Sequence, residues 1–233
     1  MSTASSAAAL GLVTLGDVVP IPGTAGHPGS YRFAVIARPL CHEALQRLAL
    51  RADPELYPSV LEAAELVVTE GASGVITTCG YFTPYQTALS RDLPVPVLSS
   101  SLLQLPMIRA LVGDRTILVL ASNRAAADAR CIRAAGLDPR DRVIVRGLDG
   151  PGPFAAQVFE AGEITDIEAI VGQASAAVEE ALAGHPDIGA ICVECGELTL
   201  VSRALRRRTG LPVFDYFTAA DLLQQAVDTS PAP

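Results

Sequence analysis

Long apolar runs are missing from this chain. Half of its 233 residues are apolar, yet no uninterrupted run approaches the roughly 18 residues of a membrane-spanning helix. Asp, Glu, Gly or Arg interrupts each candidate, so no span and no membrane partner are expected. Met1 to Ala9 lack the basic start and apolar block of a secretory signal and read as a frayed tail. Basic charge is scarce too: 17 basic residues face 25 acidic ones, for a net charge of −8. No basic cluster is flanked by aromatics. The one dense run, Arg206, Arg207 and Arg208 with Arg203 a turn earlier, reads as a solvated helix face. A nucleic-acid surface needs a broader basic footprint, so that partner is not expected. No G-x-G-x-x-G follows a strand-like segment, and no Walker loop occurs. The run Ser99, Ser100, Ser101 lacks the G-x-S-x-G frame of a nucleophilic serine. It suits helix N-capping and, at a strand end, hydrogen bonding to a substrate; the two are compatible.

Cysteine is present but odd in number: Cys41, Cys79, Cys131, Cys192 and Cys195. With no export signal, they read as reduced thiols of a cytoplasmic protein. Cys192 and Cys195 have C-x-x-C spacing, but no second paired motif completes a zinc site. The three histidines, His27, His42 and His185, are scattered. Cys192 lies inside the apolar run Ile188 to Val193 and reads as a small core residue. Cys131, in an Ala-rich helical stretch, and Cys41 carry no assigned chemistry. No metal and no cofactor is expected.

Strand-like and helix-like stretches alternate along the chain. Strands are expected at Leu10 to Val19, Gly74 to Thr78, Val95 to Leu98, Thr116 to Ala121, Val143 to Val145, Ile188 to Val193 and Val213 to Phe214. Helices are expected over Pro54 to Gly71, Thr83 to Arg91, a segment reaching Val112, Arg124 to Ala135, Asp166 to Ala183, Leu198 to Arg208 and Ala219 to Val227. Short apolar strands alternating with helices predict an α/β fold with parallel, doubly wound sheets. Gly/Pro-rich loops fall at residues 20–30 and 147–153.

One internal echo organises the rest. At a constant offset of 116 positions, Cys79 meets Cys195, Gly80 meets Gly196, Thr83 meets Thr199, Pro96 meets Pro212 and Val97 meets Val213. In both copies an apolar strand ends in Cys-Gly, a helix follows, and a strand after Pro closes the unit. This predicts two pseudo-symmetric α/β halves with a cleft between them. Residues 10–113 carry Cys79 and residues 114–227 carry Cys195. The final helix is able to pack on the first half, and residues 1–9 and 228–233 form tails. Each cysteine then sits at the carboxyl end of a strand, where open α/β sheets bind ligands.

A thiol directly before a helix lies in the positive field of the helix N-terminus, and its pKa is expected to fall. A glycine directly after it admits a substrate and offers a backbone amide to an oxyanion. Two such thiols on opposite sides of one carbon supply a base and an acid whose roles swap with the hand of the substrate. That is the apparatus for inverting a stereocentre by proton transfer.

The stretches Gly74-Val-Ile-Thr-Thr-Cys79-Gly-Tyr-Phe and Ile188-Gly-Ala-Ile-Cys-Val-Glu-Cys195-Gly, each followed by a Pro-led strand, resemble the two cysteine motifs of the aspartate/glutamate/hydantoin racemase superfamily. Gly11 to Asp17, Ile21-Pro-Gly and His27-Pro resemble a branch of it. The resemblance implies a cofactor-independent racemase or epimerase acting on a small amino acid, hydantoin or related compound, with Cys79 and Cys195 catalytic. It implies substrate contacts from Asp17, Thr78, Gly80, Tyr81, Ser99, Ser122, Asn123, Gly196 and Glu197. Its members commonly form dimers or higher assemblies, so a homo-oligomer is expected. The chain departs from the amino-acid racemases after each cysteine. Gly80-Tyr81 and Gly196-Glu197 stand where polar pairs hold an α-carboxylate and ammonium. Two other readings are a maleate-type cis–trans isomerase with a nucleophilic cysteine, and a non-catalytic small-molecule-binding member of the fold.

Overall fold

A computed structural model of the chain describes residues 8–16, 18–40, 53–124, 127–138 and 140–229. Asp17, Cys41 and His42 lie outside the described residues. Two four-stranded, all-parallel sheets are present. The first is built from β1 (Leu10–Thr14), β2 (Val35–Pro39), β3 (Gly74–Thr77) and β4 (Val97–Leu98), in the order β2-β1-β3-β4. The second is built from β5 (Thr116–Ala121), β6 (Val143–Gly147), β7 (Ile188–Val193) and β8 (Val213–Phe214), in the order β6-β5-β7-β8. The orders are the same, as the sequence repeat requires. Every residue of β3, β5 and β7 is buried, which explains their unbroken apolar runs.

On one face of the first sheet lies α1 (Tyr57–Thr69), with Val60, Ala64 and Val67 packed against Val13 and Val75. The corresponding face of the second carries a long helix, Ile167–Gly184, with Ile170, Ala174 and Val178 against Leu118 and Ile191. The other two faces are covered by exchange. The helix Leu105–Val112 follows β4, yet buries Leu105 and Ile108 among Ile117, Val119 and Ala190 of the second sheet. The helix Tyr216–Val227 follows β8, yet buries Ala220 and Leu223 among Leu10, Leu12 and Ile76 of the first.

Several expected bounds shift. The first strand ends at Thr14 rather than Val19. The strand β2 is not among the expected ones: it is a half-buried edge strand carrying Arg38 and Pro39, without a strong apolar pattern. A π-helix, Ala155–Ala161, is likewise an addition. After each cysteine the chain forms a 3-10 turn before the α-helix: Gly80–Tyr85 before Gln86–Asp92, and Glu197–Val201 before Ser202–Thr209. The cause is the same in both copies. The hydroxyls of Thr83 and Thr199 donate to the carbonyls of Gly80 (2.5 Å) and Gly196 (2.8 Å), tightening the turn at three-residue spacing. No helix among the described residues is long and apolar enough to cross a membrane.

Candidate active site

The carboxyl ends of β3 and β7 meet head to head. Cys79 and Cys195 form an isolated antiparallel bridge between the two sheets, and the Gly196 amide donates to the Thr78 carbonyl at 3.1 Å. Both cysteines are 6 % exposed. A loop from the first half ties the junction down. The Ala25 amide donates to the Gly196 carbonyl at 3.0 Å, the Thr199 hydroxyl to the Gly23 carbonyl at 2.8 Å, and the Val19 amide to the Gly162 carbonyl at 3.0 Å. Between this loop and the ends of β1 and β2 lies a cavity of about 400 Å³, bordered by Thr14, Gly16, Val19, Pro20, Thr78 and Glu197.

The glycines after the cysteines serve close packing. A Cβ on Gly196 would stand 2.7 Å from the Thr78 carbonyl oxygen. A Cβ on Gly80 would overlap the carboxyl group of Glu194, 2.5 Å from its Cδ. Each glycine therefore admits the residue that precedes the opposite cysteine. The Glu194 carboxyl packs directly against Gly80, so both Cys-Gly segments are engaged across the junction.

Glu194 is 1 % exposed. Its Oε2 accepts from the Ser122 amide at 3.1 Å and lies 3.4 Å from the Ser122 hydroxyl, which is 3.2 Å from the Tyr81 hydroxyl. Burial, together with the charge of Glu197, pushes the Glu194 carboxyl up to about 7 despite these donors. The Cys195 thiol donates to Glu197 Oε2 at 2.9 Å. Burial, then Glu197, then Glu194 push this thiol well above its ordinary range. This corrects the expectation of a lowered pKa: two carboxylates and desolvation outweigh the short 3-10 turn, so Cys195 rests as a thiol. Burial and the neighbouring Glu194 also raise Tyr81 and Tyr216, keeping both hydroxyls protonated. Cys79 and Cys195 are within electrostatic reach of both tyrosines.

The other expected contacts are placed as follows. Thr78 and Glu197 border the cavity, and Ser122 and Tyr81 belong to the Glu194 network. Asn123 follows Ser122 and is half-buried. The Ser99 hydroxyl is buried without a hydrogen-bond partner, while its carbonyl accepts from Thr77 at 2.6 Å. Ser100 caps the following 3-10 turn. Asp215 forms a capping box with Thr218 at the start of the last helix. Cys192 and Cys131 are core residues of the second half, and burial pushes the Cys131 thiol up to about 12. Among the described residues, no group of three His, Cys, Asp or Glu side chains is placed to hold a metal. Glu194 and Tyr216 join the site without having been expected there. The signal for Glu194 is an acidic residue closing a wholly apolar strand; Tyr216 offers none beyond following Asp215.

Glu197→Gln is expected to speed alkylation of Cys195 by iodoacetamide at pH 8 by about tenfold. Removing the nearby negative charge lowers the thiol's pKa and raises its thiolate fraction. Peptide mass spectrometry follows the modification; an unchanged or slower rate would show that Glu197 does not hold the proton on Cys195.

Comparison with known proteins agrees with this architecture. The chain is 31 % identical over 232 residues to a dimethylsulfoniopropionate lyase of Durusdinium sp. clade D, covering 92 % of this chain and 73 % of that protein. It is 31 % identical over 239 residues to dimethylsulfoniopropionate lyase 3 of Emiliania huxleyi, covering 95 % of this chain and 60 % of that protein. The chain thus spans about three-fifths to three-quarters of these relatives. Its fold is similar to that of arylmalonate decarboxylase (TM-score 0.62, 18 % identity, 96 % of this chain and 94 % of that one). It is also similar to that of allantoin racemase from Klebsiella pneumoniae (TM-score 0.60, 17 % identity, 96 % and 90 %). The family model described as Asp/Glu/Hydantoin racemase matches residues 21–221, and the chain belongs to that family.

Proposed function

We propose that this chain is a cofactor-independent enzyme that takes a proton from a carbon beside a carboxylate or carbonyl, with Cys79 and Cys195 as its base and acid. The observation that carries this reading is the head-to-head meeting of β3 and β7, which sets two Cys-Gly segments against each other beside one cavity. The chain contains no lysine, so it supplies none for a Schiff base, and the thiols are the groups suited to the proton transfer. Neutral Tyr81 and Tyr216 hydroxyls are suited to donate to the oxyanion that forms as the proton leaves.

The product depends on what the next carbon carries. The relatives at 31 % identity favour elimination. In dimethylsulfoniopropionate, a thiolate takes the proton beside the carboxylate. The freed electron pair forms the carbon–carbon double bond, and the bond from the β carbon to sulfur breaks with its pair on sulfur. Dimethyl sulfide and acrylate result, and the proton stays on the cysteine. Two carboxyls, Glu197 and Glu194, act on Cys195, a setting that favours a sulfonium cation. A second reading, racemisation or epimerisation, is favoured by the pseudo-symmetric placement of the two thiols. Without a leaving group, the second thiol returns a proton to the opposite face.

The protein incubated in D2O with dimethylsulfoniopropionate, amino acids, hydantoins, allantoin and hydroxy acids tests both readings. Headspace dimethyl sulfide supports elimination. Deuterium at the acidic carbon with loss of optical activity supports racemisation. Neither signal from any compound, with the protein folded by circular dichroism, would sink the proposal.

A further inference from the structure

Contacts from both halves converge on one buried carboxyl. The Ser122 amide and hydroxyl reach it from the second half, and the same hydroxyl lies 3.2 Å from the Tyr81 hydroxyl of the first. The carboxyl fills the space where Gly80 lacks a side chain. We infer that Glu194 is a positioning residue whose carboxylate, reaching from the second half, holds the Cys79–Gly80–Tyr81 segment and so sets one thiol relative to the other. The inference rests on the reading in which both thiols serve one substrate. Glu194 acts through its neighbours, since its carboxyl is enclosed by these donors and 1 % exposed.

The side chains beside the two segments differ. At the 116-residue offset, Glu194 corresponds to Thr78. The Cys195–Gly196 segment is held by the Thr78 backbone carbonyl, a neutral acceptor whose strength does not change with pH. The Cys79–Gly80–Tyr81 segment has in addition an ionisable group against it, packed on Gly80 and linked to Tyr81 through Ser122. The titratable groups facing Glu194 are Tyr81 from the 3-10 turn after Cys79, Tyr216 from the last helix, Cys131 from the helix Ala129–Ala134, Cys192 and Cys195 from β7 and its end, and Glu197 beyond it. The tyrosines and these cysteines are pushed upward and stay neutral at pH 6 to 8. Glu197 supplies the charge that raises Glu194. Above about 7 the Glu194 carboxylate accepts from the Ser122 amide and hydroxyl. Below it, the carboxylic acid keeps one accepting oxygen and turns its O–H toward the Ser122 hydroxyl, which then no longer donates to it, and the grip on the Cys79 segment weakens.

Hydrogen–deuterium exchange, scaled to intrinsic rates, tests this at pH 6 and pH 8 in the wild type and Glu194→Gln. In the wild type, protection of residues 79–85 is expected to fall about tenfold from pH 8 to pH 6, the equivalent of one hydrogen bond, with residues 195–201 unchanged. In Glu194→Gln, residues 79–85 are expected to be poorly protected at both pH values, because one accepting oxygen is replaced by an NH2 donor and the charge is lost. On a substrate from the panel above, kcat is expected to fall about 100-fold, with KM within threefold and the acid limb near pH 7 absent. Wild-type protection of residues 79–85 that is the same at both pH values would overturn the inference, as would a variant kcat within threefold of wild type. The wild-type comparison decides if the variant does not fold. Exchange needs no turnover, so failure of every substrate would count against the proposed reaction and leave the positioning role of Glu194 to stand or fall on protection alone.

Discussion

Cys79→Ala and Cys195→Ala are expected to separate the two chemistries open to this site. If the reaction is racemisation, both variants should lose about 1000-fold in turnover, because each thiol is base or acid at the reacting carbon and general acid–base catalysis contributes about 10² to 10⁴. The double variant should then be no worse than either single one, since the pair acts as a unit. If the reaction is elimination, one variant should lose about 1000-fold and the other about tenfold, because only the base touches the proton that leaves. The severe variant identifies the base. Cys195 starts as a thiol donating to Glu197, so a Cys195 base must first pass its proton to that carboxylate. Initial rates by NMR in H2O measure the losses. Turnover within threefold of wild type in both variants would remove the thiols from the mechanism.

The second large effect is expected from a single methyl group. Gly80→Ala would drive a Cβ into the Glu194 carboxyl, 2.5 Å from its Cδ. Glu194 has little room to move aside, because Ser122 holds its other oxygen and the group is buried. Overpacking of this kind costs about 3 kcal/mol, which in a protein of this size lowers Tm by about 6 to 12 °C. Turnover should fall as well, since Cys79 is the adjacent residue. The pseudo-symmetric Gly196→Ala meets the Thr78 carbonyl oxygen at 2.7 Å and the Thr78 Cβ at 3.0 Å, a shallower overlap than the 2.0 Å approach to Glu194 Oε1 at Gly80, and should cost less. Scanning calorimetry of the two variants checks the order; equal Tm values for Gly80→Ala and wild type would show that the Glu194 carboxyl swings away freely.

Much of this architecture is legible in the residues. The constant offset between the two Cys-Gly pairs predicts two like halves, and buried runs such as Ile188–Val193 predict central parallel strands. The edge strand Val35–Pro39 is not legible, because a half-exposed strand with Arg38 and Pro39 lacks both an apolar run and alternation. At the site, the paired cysteines stand out because Cys-Gly recurs. Glu194 does not, because its position in Cys192-Val-Glu-Cys195 invites a comparison with metal and redox spacing. The direction of the Cys195 shift turns on which local feature prevails. A thiol before a helix suggests a positive field, whereas the side chains around it bring carboxyls from positions 194 and 197.

The exchange of helices between the sheets has a consequence for how the protein folds. The helix Leu105–Val112 completes the core of the second half, and the helix Tyr216–Val227 completes the core of the first. A chain emerging from the ribosome cannot finish its first core until that last helix is available. The two halves are therefore interlocked in time as well as in space: neither matures alone, and the site forms only when the whole described chain has been made.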